Sequence, residues 1–344
     1  MPFGKIIGPA LMSDKPDVSI VVPLYNKRQY VKRALDSIMN QRCSASFEVV
    51  VVDDGSTDGG PAIVGELAQD NDRLRMINQP NCGPGTARNR GAEESTGPLV
   101  AFLDADDEWA PDFLALAISA LQAQPTAAAA ALAYRVVYPN GRVHEPAFRC
   151  GLPVGATALL DNYFQAVLDG AYPICSSNVV VRRAPFEHLR GFPPTVRGED
   201  TAFWSSMVLS YPVAFVNTVS ATVHLDADTA ARKAYRWLPA SSEDAKYALS
   251  PLDEALSSGL LPGPVAVAVR RYRAKRLAEC IRQNLMCGHP RSGRRLFAEF
   301  GHGIVGSALH EPRALLYLIG TFLPPVLPKA YWASRSSLWA VLKR

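Results

Sequence analysis

Two short, nearly unbroken β-branched runs constrain this chain most: DVSIVVPL at residues 17–24 and FEVVVV at 47–52. Runs without polar alternation belong to strands covered on both faces, as in a parallel sheet. Between them Tyr30, Val31, Ala34, Leu35, Ile38 and Met39 recur at helical spacing. Strand, helix, strand is a βαβ unit, with a right-handed crossover expected. The rhythm continues. Ser56-Thr57-Asp58-Gly59-Gly60 suits a helix cap and Pro61 its first turn, and Ile63, Val64 and Leu67 give that helix an apolar side. Residues 73–78 read as a third strand, 83–95 as a loop leading into a helix, 98–103 as a fourth strand and 111–121 as another helix. Alternation sustained over roughly 110 residues predicts an open, mostly parallel α/β sheet flanked by helices.

Beyond residue 122 the rhythm weakens. The alanine run at 127–133 suits a buried helix or strand, and 176–182 and 213–224 are strand candidates. Val265, Val269, Tyr272, Leu277, Ile281 and Leu285 fit a long amphipathic helix, so the chain from about residue 240 reads as mainly helical.

In open α/β sheets ligands sit beyond the carboxyl ends of the strands, and the polar clusters fall there. Asp104 and Asp106, in DADDEW, follow the fourth strand two residues apart, where a turn brings both carboxylates together. Such oxygen ligands suit Mg²⁺ or Mn²⁺ held partly through substrate phosphates. A surface acidic turn is the alternative. Asp53 and Asp54 end the 47–52 run. Their mutual repulsion calls for a polar partner such as a nucleoside, or else DDGSTDGG is a surface turn. The segment 81–91 supplies Gly83, Gly85, Arg88, Asn89 and Arg90: glycines that admit a ligand to the backbone, a helix start, and planar donors for an anion. It is neither GxGxxG nor a Walker A loop. In VRGEDTAFW, Asp200, or failing it Glu199, is a candidate general base; helix capping by Asp200 is the alternative. His224, before Asp226 and Asp228, reads either as a metal or diphosphate contact or as a structural histidine.

A hydrophobic fraction of 48% and a charged fraction of 20% over 344 residues support a sizeable core and exclude a disordered or low-complexity chain. Net charge is only +4, but the stretch from Arg270 to Arg295 holds nine basic residues against Glu279 alone. That reads as a basic helical surface for anionic lipid, phosphorylated substrate or nucleic acid, or as a solvated helix face. Six cysteines, at 43, 82, 150, 175, 280 and 287, show no zinc-site spacing, and the first 17 residues show no export signal, so free thiols in a reducing compartment are expected. No run reaches the roughly 18–20 apolar residues a bilayer requires. Residues 315–327, interrupted by Pro324 and Pro325 and followed by Lys329, Tyr331, Trp332, Arg335, Trp339, Lys343 and Arg344, read as an interfacial segment or as a helix packed on the body.

Taken in order, VSIVVPLYNKRQYVKRALDSIMNQ, FEVVVVDDGSTDGG, NCGPGTARNRGAEESTGPLVAFLDADDEW and RGEDTAFW resemble the inverting family 2 glycosyltransferases, over 18–109 most strongly. The resemblance implies the GT-A fold, a Rossmann-like open sheet with a mainly helical C-terminal region. It implies a tail at 1–16, a catalytic domain at 17–240 with a nucleotide-sugar half (17–122) and an acceptor half (123–240), and a helical region at 241–344. Asp53 or Asp54 would contact the nucleobase, with Pro23, Tyr25 and Asn26 shaping the donor pocket beside Gly83 and Arg88. Asp104 would lie near ribose or metal, Asp106 would ligate Mg²⁺ or Mn²⁺ with His224 as a further candidate, and Asp200, beside Glu199, would be the acceptor base. The implied reaction is a hexosyltransferase-type displacement with inversion. A nucleoside-diphosphate-sugar, uridine-based by family frequency, would donate to the hydroxyl of a glycan or lipid-linked glycan in cell-envelope polysaccharide synthesis. The expected location is the cytoplasm, at the cytoplasmic membrane face if the C-terminal region binds anionic lipid. Arg236-Trp237 lacks a glutamine three before the arginine, which speaks against a processive, channel-forming member. The rivals are a non-catalytic carbohydrate- or protein-binding module, which would lose the paired acidic clusters, and a sugar-phosphate nucleotidyltransferase, which would carry a glycine-rich loop where this chain has PLYNKRQY. Nucleic acid is not an expected partner.

Overall fold

Strand β1 (Val18–Leu24) splits its side chains between two cores: Val18, Ile20, Val22 and Leu24 face one, Val21 the other. That two-sided burial explains the unbroken apolar run, since neither face meets water. The computed structural model describes residues 15–148, 152–195, 198–225 and 239–301. The tail at 1–14, Cys150, Asp226, Asp228, Arg236-Trp237, residues 315–327 and the aromatic and basic positions after them lie outside the described residues.

Helix α1 (Val31–Met39) buries Val31, Ala34, Leu35 and Ile38, the helically spaced set, and leads to β2 (Phe47–Asp53), which pairs with β1 in parallel from Val18↔Phe47 to Leu24↔Asp53. Helix α2 (Gly60–Gln69) holds Pro61 in its first turn; its N-cap is Gly59, and the side chain that serves it is Asp58, whose Oδ1 accepts from Gly60 N at 2.9 Å. β3 (Leu74–Asn78) pairs with β2. Helix α3 (Pro84–Glu93) starts directly after Gly83, so the segment expected to begin as loop is helical from its second residue. β4 (Leu99–Phe102) then pairs with the other side of β1. The order β3-β2-β1-β4 means the chain steps outward from β1, then crosses back over it. The carboxyl ends of β1 and β4 therefore flank the switch point where such sheets bind ligands.

The sheet continues through β5 (Glu108–Trp109), α4 (Phe113–Ala123), β6 (Ala129–Val137), β7 (Val143–His144), β8 (Thr157–Leu159), α5 (Tyr163–Leu168), a short 3₁₀ turn (Ser176–Asn178), β9 (Val179–Arg182), α6 (Arg183–His188), α7 (Glu199–Ser210) and β10 (Val213–His224). The alanine run is thus a strand. Ala130 and Leu132 lie in one core, Ala129, Ala131 and Ala133 in the other, and burial on both faces overrides alanine's helical preference. β9 is antiparallel to β4 and to β6, and β10 runs parallel to β6, so β6 and β10 end on the same edge as β1 and β4. The mixed order is β3-β2-β1-β4-β9-β6-β10-β5. Strands as short as β5 carry no periodic signal, which is why sequence did not reveal them.

Helices α1, α2 and α4 cover one face of the sheet. The other is covered by α3, α7 and three later helices, α8 (Ser242–Ser257), α9 (Gly263–Met286) and α10 (Pro290–Phe300). Val21 of β1 and Tyr272, Leu277, Ile281 and Leu296 of these helices belong to one core, so the described part of the C-terminal region packs on the sheet. This packing also corrects the expectation of one basic surface from Arg270 to Arg295. Arg273 is buried against Asp253 and donates to Phe300 O at 2.9 Å, Lys275 donates to Val167 O at 3.3 Å, and Arg276 donates to Glu279 at 2.6 Å. Arg270, Arg291, Arg294 and Arg295 remain exposed. No helix among the described residues is long and apolar enough to cross a membrane.

Candidate active site

At the end of β1, Pro23 and Tyr25 are half-buried and Asn26 adopts φ 51°, a left-handed conformation asparagine tolerates. Asn26 spans two loops: its N–H donates to Ser56 Oγ (3.0 Å) and its Oδ1 accepts from Thr57 N (2.8 Å). The end of β2 separates the two adjacent aspartates. Asp54, 3% exposed, accepts from Gln79 Nε2 (2.8 Å), Cys82 N (2.8 Å) and Gly83 N (2.9 Å), so both its oxygens anchor the loop into α3. Asp53 accepts from Ser56 N (3.1 Å) through Oδ1. The geometry therefore leaves Asp53 the less committed of the two, and Gly83 acts as the N-cap residue tied to Asp54.

Beyond β4, the DADDEW turn is clamped from β9 and β10. Ser177, in the 3₁₀ turn, accepts from Asp104 N (3.2 Å) and bonds Asp107 Oδ2 (2.5 Å), while Trp109 Nε1 donates to Ser177 O (2.7 Å). Asp107 Oδ1 accepts from His224 N at 2.9 Å. Burial, then the neighbouring Asp106 and Asp104, raise the Asp107 carboxyl well above the usual range. Asp107 is therefore the anchor of the turn; Asp104 is the most exposed of its three aspartates, and Asp106 is buried against Lys27. Sequence reasoning passed over Asp107, although three acids in four residues signal that one must be held away from the others. It also passed over Lys27 and Arg33. Lys27 forms an ion pair with Asp106, and Arg33 donates to the Asp106 carbonyl; only their positive charge near the first strand could have pointed to them.

Arg88 joins this turn to α7. Its Nη2 donates to Asp104 Oδ1 at 2.6 Å and its Nη1 to Glu199 Oε1 at 3.2 Å, and the guanidinium lies 5.3 Å from the Phe192 ring centroid. The residue is 4% exposed, and its Nε is buried without a partner. Burial works against its charge, but Asp104 and Glu199 outweigh that and hold the guanidinium protonated. Glu199 also packs against α3: a Cβ on Gly85 would stand 2.8 Å from Glu199 Cγ, so only glycine fits there. Burial, then Asp200, push the Glu199 carboxyl up to about 7 against the pull of Arg88. Glu199 is a bridge between helices. Asp200 is less buried, with Oδ1 accepting from Thr201 N at 2.6 Å inside the first turn of α7, whose N-cap is Gly198. Of the two acids, Asp200 is the more exposed.

For a divalent ion, Asp104 and Asp106 supply two carboxylates at one strand end, and the Lys27 ammonium on Asp106 marks a place that favours a cation. Two carboxylates completed by substrate phosphates are a sufficient set for Mg²⁺, so these residues fit the ion. The structure does not bring His224 into that set. Its Nε2 stands 3.2 Å from Glu108 Oε1, and among the described residues no three His, Cys, Asp or Glu side chains are gathered to hold a metal. No disulfide joins the described cysteines.

The family model described as "Glycosyl transferase family 2" matches residues 19–190. Among curated proteins, the chain is 39% identical over 100 residues to the putative glycosyltransferase EpsH of Bacillus subtilis, a match covering 29% of each. It is 38% identical over 101 residues to the putative teichuronic acid biosynthesis glycosyltransferase TuaG of the same organism, covering 29% of this chain and 40% of that one. The matched segment is thus well under two thirds of either relative. Among solved structures, S. aureus TarS 1–349 in complex with UDP superposes with a TM-score of 0.60 at 20% identity, over 89% of each chain, a likeness of fold.

Proposed function

The chain belongs to glycosyl transferase family 2, and from that premise we propose that it transfers a sugar from a nucleoside-diphosphate-sugar to an acceptor hydroxyl, with inversion. The observation that carries the reading is the placement of Asp53 and the Asp104–Asp106 turn at the carboxyl ends of parallel strands, with Arg88 joining Asp104 to Glu199 at the start of α7. In this reading Asp53 and Tyr25 orient the nucleoside. Asp200 takes the proton from the acceptor hydroxyl as its oxygen attacks the anomeric carbon, and the bond to the nucleoside diphosphate breaks on the opposite face. Arg88 keeps Asp104 and Glu199 in place during this displacement. A divalent ion, held by Asp106 and Asp104, would supply Lewis-acid neutralisation of the leaving diphosphate.

Uridine is the base we assign to the donor, with support from the fold shared with a UDP-bound protein. A glycan or lipid-linked glycan of the cell envelope is the acceptor, by analogy with a relative named for teichuronic acid biosynthesis. The exposed Arg270, Arg291, Arg294 and Arg295 support work at an anionic, cytoplasmic membrane face.

The test is release of nucleoside diphosphate from a panel of nucleotide sugars, with and without Mn²⁺, by wild type and Asp106→Ala. Release from one donor, abolished by chelation and in the variant, is the expected result. Neither binding nor release across the panel would refute the catalytic reading and favour a binding module on the same fold.

A further inference from the structure

The helical layer reaches the acceptor side of the cleft at one point. Gly198, immediately before Glu199-Asp200, has φ +72°, and a Cβ there would stand 2.9 Å from Nη2 of Arg276 on α9. The guanidinium thus lies directly against the backbone that opens α7. It is 14% exposed, and its Nη1 donates to Glu279 Oε2 at 2.6 Å, which fixes the fork from the far side. Four residues earlier, on the same face of α9, the fully buried Tyr272 hydroxyl meets Ser205 Oγ of α7 at 3.0 Å. Two contacts therefore hold α7 to α9, one at its N-terminus and one midway along it.

We propose that Arg276 is a positioning residue for the acceptor-side base: its planar fork sets the turn at Gly198, and that turn sets where Asp200 points. The inference rests on the glycosyltransferase reading and extends it beyond the matched segment, since Gly198, Asp200 and α9 all lie after residue 190. It also gives α9 a part in function. A helix that only covered the sheet would not need a mostly buried arginine reaching the glycine that opens α7. Lysine, a point charge on a flexible stem, would keep the charge but not the flat contact.

The experiment compares Arg276→Ala, Arg276→Lys and Gly198→Ala with wild type. Val267→Ala, exposed on the same helix, is the control. Each protein is assayed for thermal midpoint, for UDP affinity with Mn²⁺, and for UDP release from the donor that wild type hydrolyses. A misplacement of the base by about an ångström predicts a loss of about 10²-fold in turnover for Arg276→Ala and Gly198→Ala. UDP affinity should stay within about twofold, because donor binding is built elsewhere. Arg276→Lys should fall between them and wild type, and Val267→Ala should match wild type. Folded Arg276→Ala and Gly198→Ala that turn over at the wild-type rate would overturn the proposal, as would loss of UDP affinity in step with turnover. Wild type that neither binds nor hydrolyses any donor would instead refute the reading on which the proposal rests.

Discussion

On the proposed donor side, each candidate carboxylate stands at or just beyond the end of a strand: Asp53 closes β2, and Asp104 and Asp106 follow β4. On the acceptor side, Glu199 and Asp200 begin a helix whose position is set by distant parts of the chain, with Arg88 lying 111 residues before Glu199 and α9 supplying Arg276. Strand ends, the Ser177 clamp and the ion pairs of Lys27 and Arg88 fix the first set. The second depends on helix packing and on buried charge. Apart from Asp104, which Arg88 of α3 holds, the proposed donor site depends less on the helical layer, whereas the proposed acceptor site inherits every shift of α3, α7 and α9.

The contrast is sharpest at the two adjacent acids. Asp200→Asn should lower turnover by about 10²–10⁴-fold, the range of a lost general base, with UDP affinity unchanged. Glu199→Gln should cost far less, because an amide still accepts from Arg88. Equal losses in steady-state kinetics would break the assignment of separate roles. Next in size is Arg88→Met. It strands two carboxylates and should destabilise the protein by about 3–5 kcal/mol at pH 8 by denaturant unfolding. The cost should shrink at pH 5, where Glu199 is neutral, and a pH-independent cost would contradict the bridge.

A smaller effect follows from Glu199 itself. Its carboxyl is raised to about 7 by burial and then by Asp200. Between the ordinary carboxylate range and pH 7 the folded state keeps a proton that the unfolded chain releases, so this group's contribution to stability falls as pH rises through that window. Relative to Glu199→Gln, wild type should lose on the order of 1–3 kcal/mol between pH 4.5 and 7. A flat difference would show that Glu199 is ionised throughout.

The same contrast explains what could be read in advance. β1, β2 and β4 were legible because burial on both faces leaves apolar runs, and the acids after them stood out as polar breaks. The alanine run stayed ambiguous, since its strand state depends on two cores that form only on folding. Asp54 and Asp53 were inseparable as letters; three donors from Gln79, Cys82 and Gly83 distinguish them. Lys27 and Asp107 were passed over for one reason: their partners lie on other elements, and no local period marks them. The inward turn of Arg273, Lys275 and Arg276 likewise could not be told from an exposed basic face until the helices were packed.

The most direct measurement is calorimetric titration of UDP with Mn²⁺ into wild type, Asp106→Ala and Asp200→Asn. Separable donor and acceptor sides predict that Asp106→Ala loses at least about tenfold in affinity while Asp200→Asn stays within about twofold. Undiminished binding in Asp106→Ala, or a loss in Asp200→Asn as large as in Asp106→Ala, would contradict the division of the cleft.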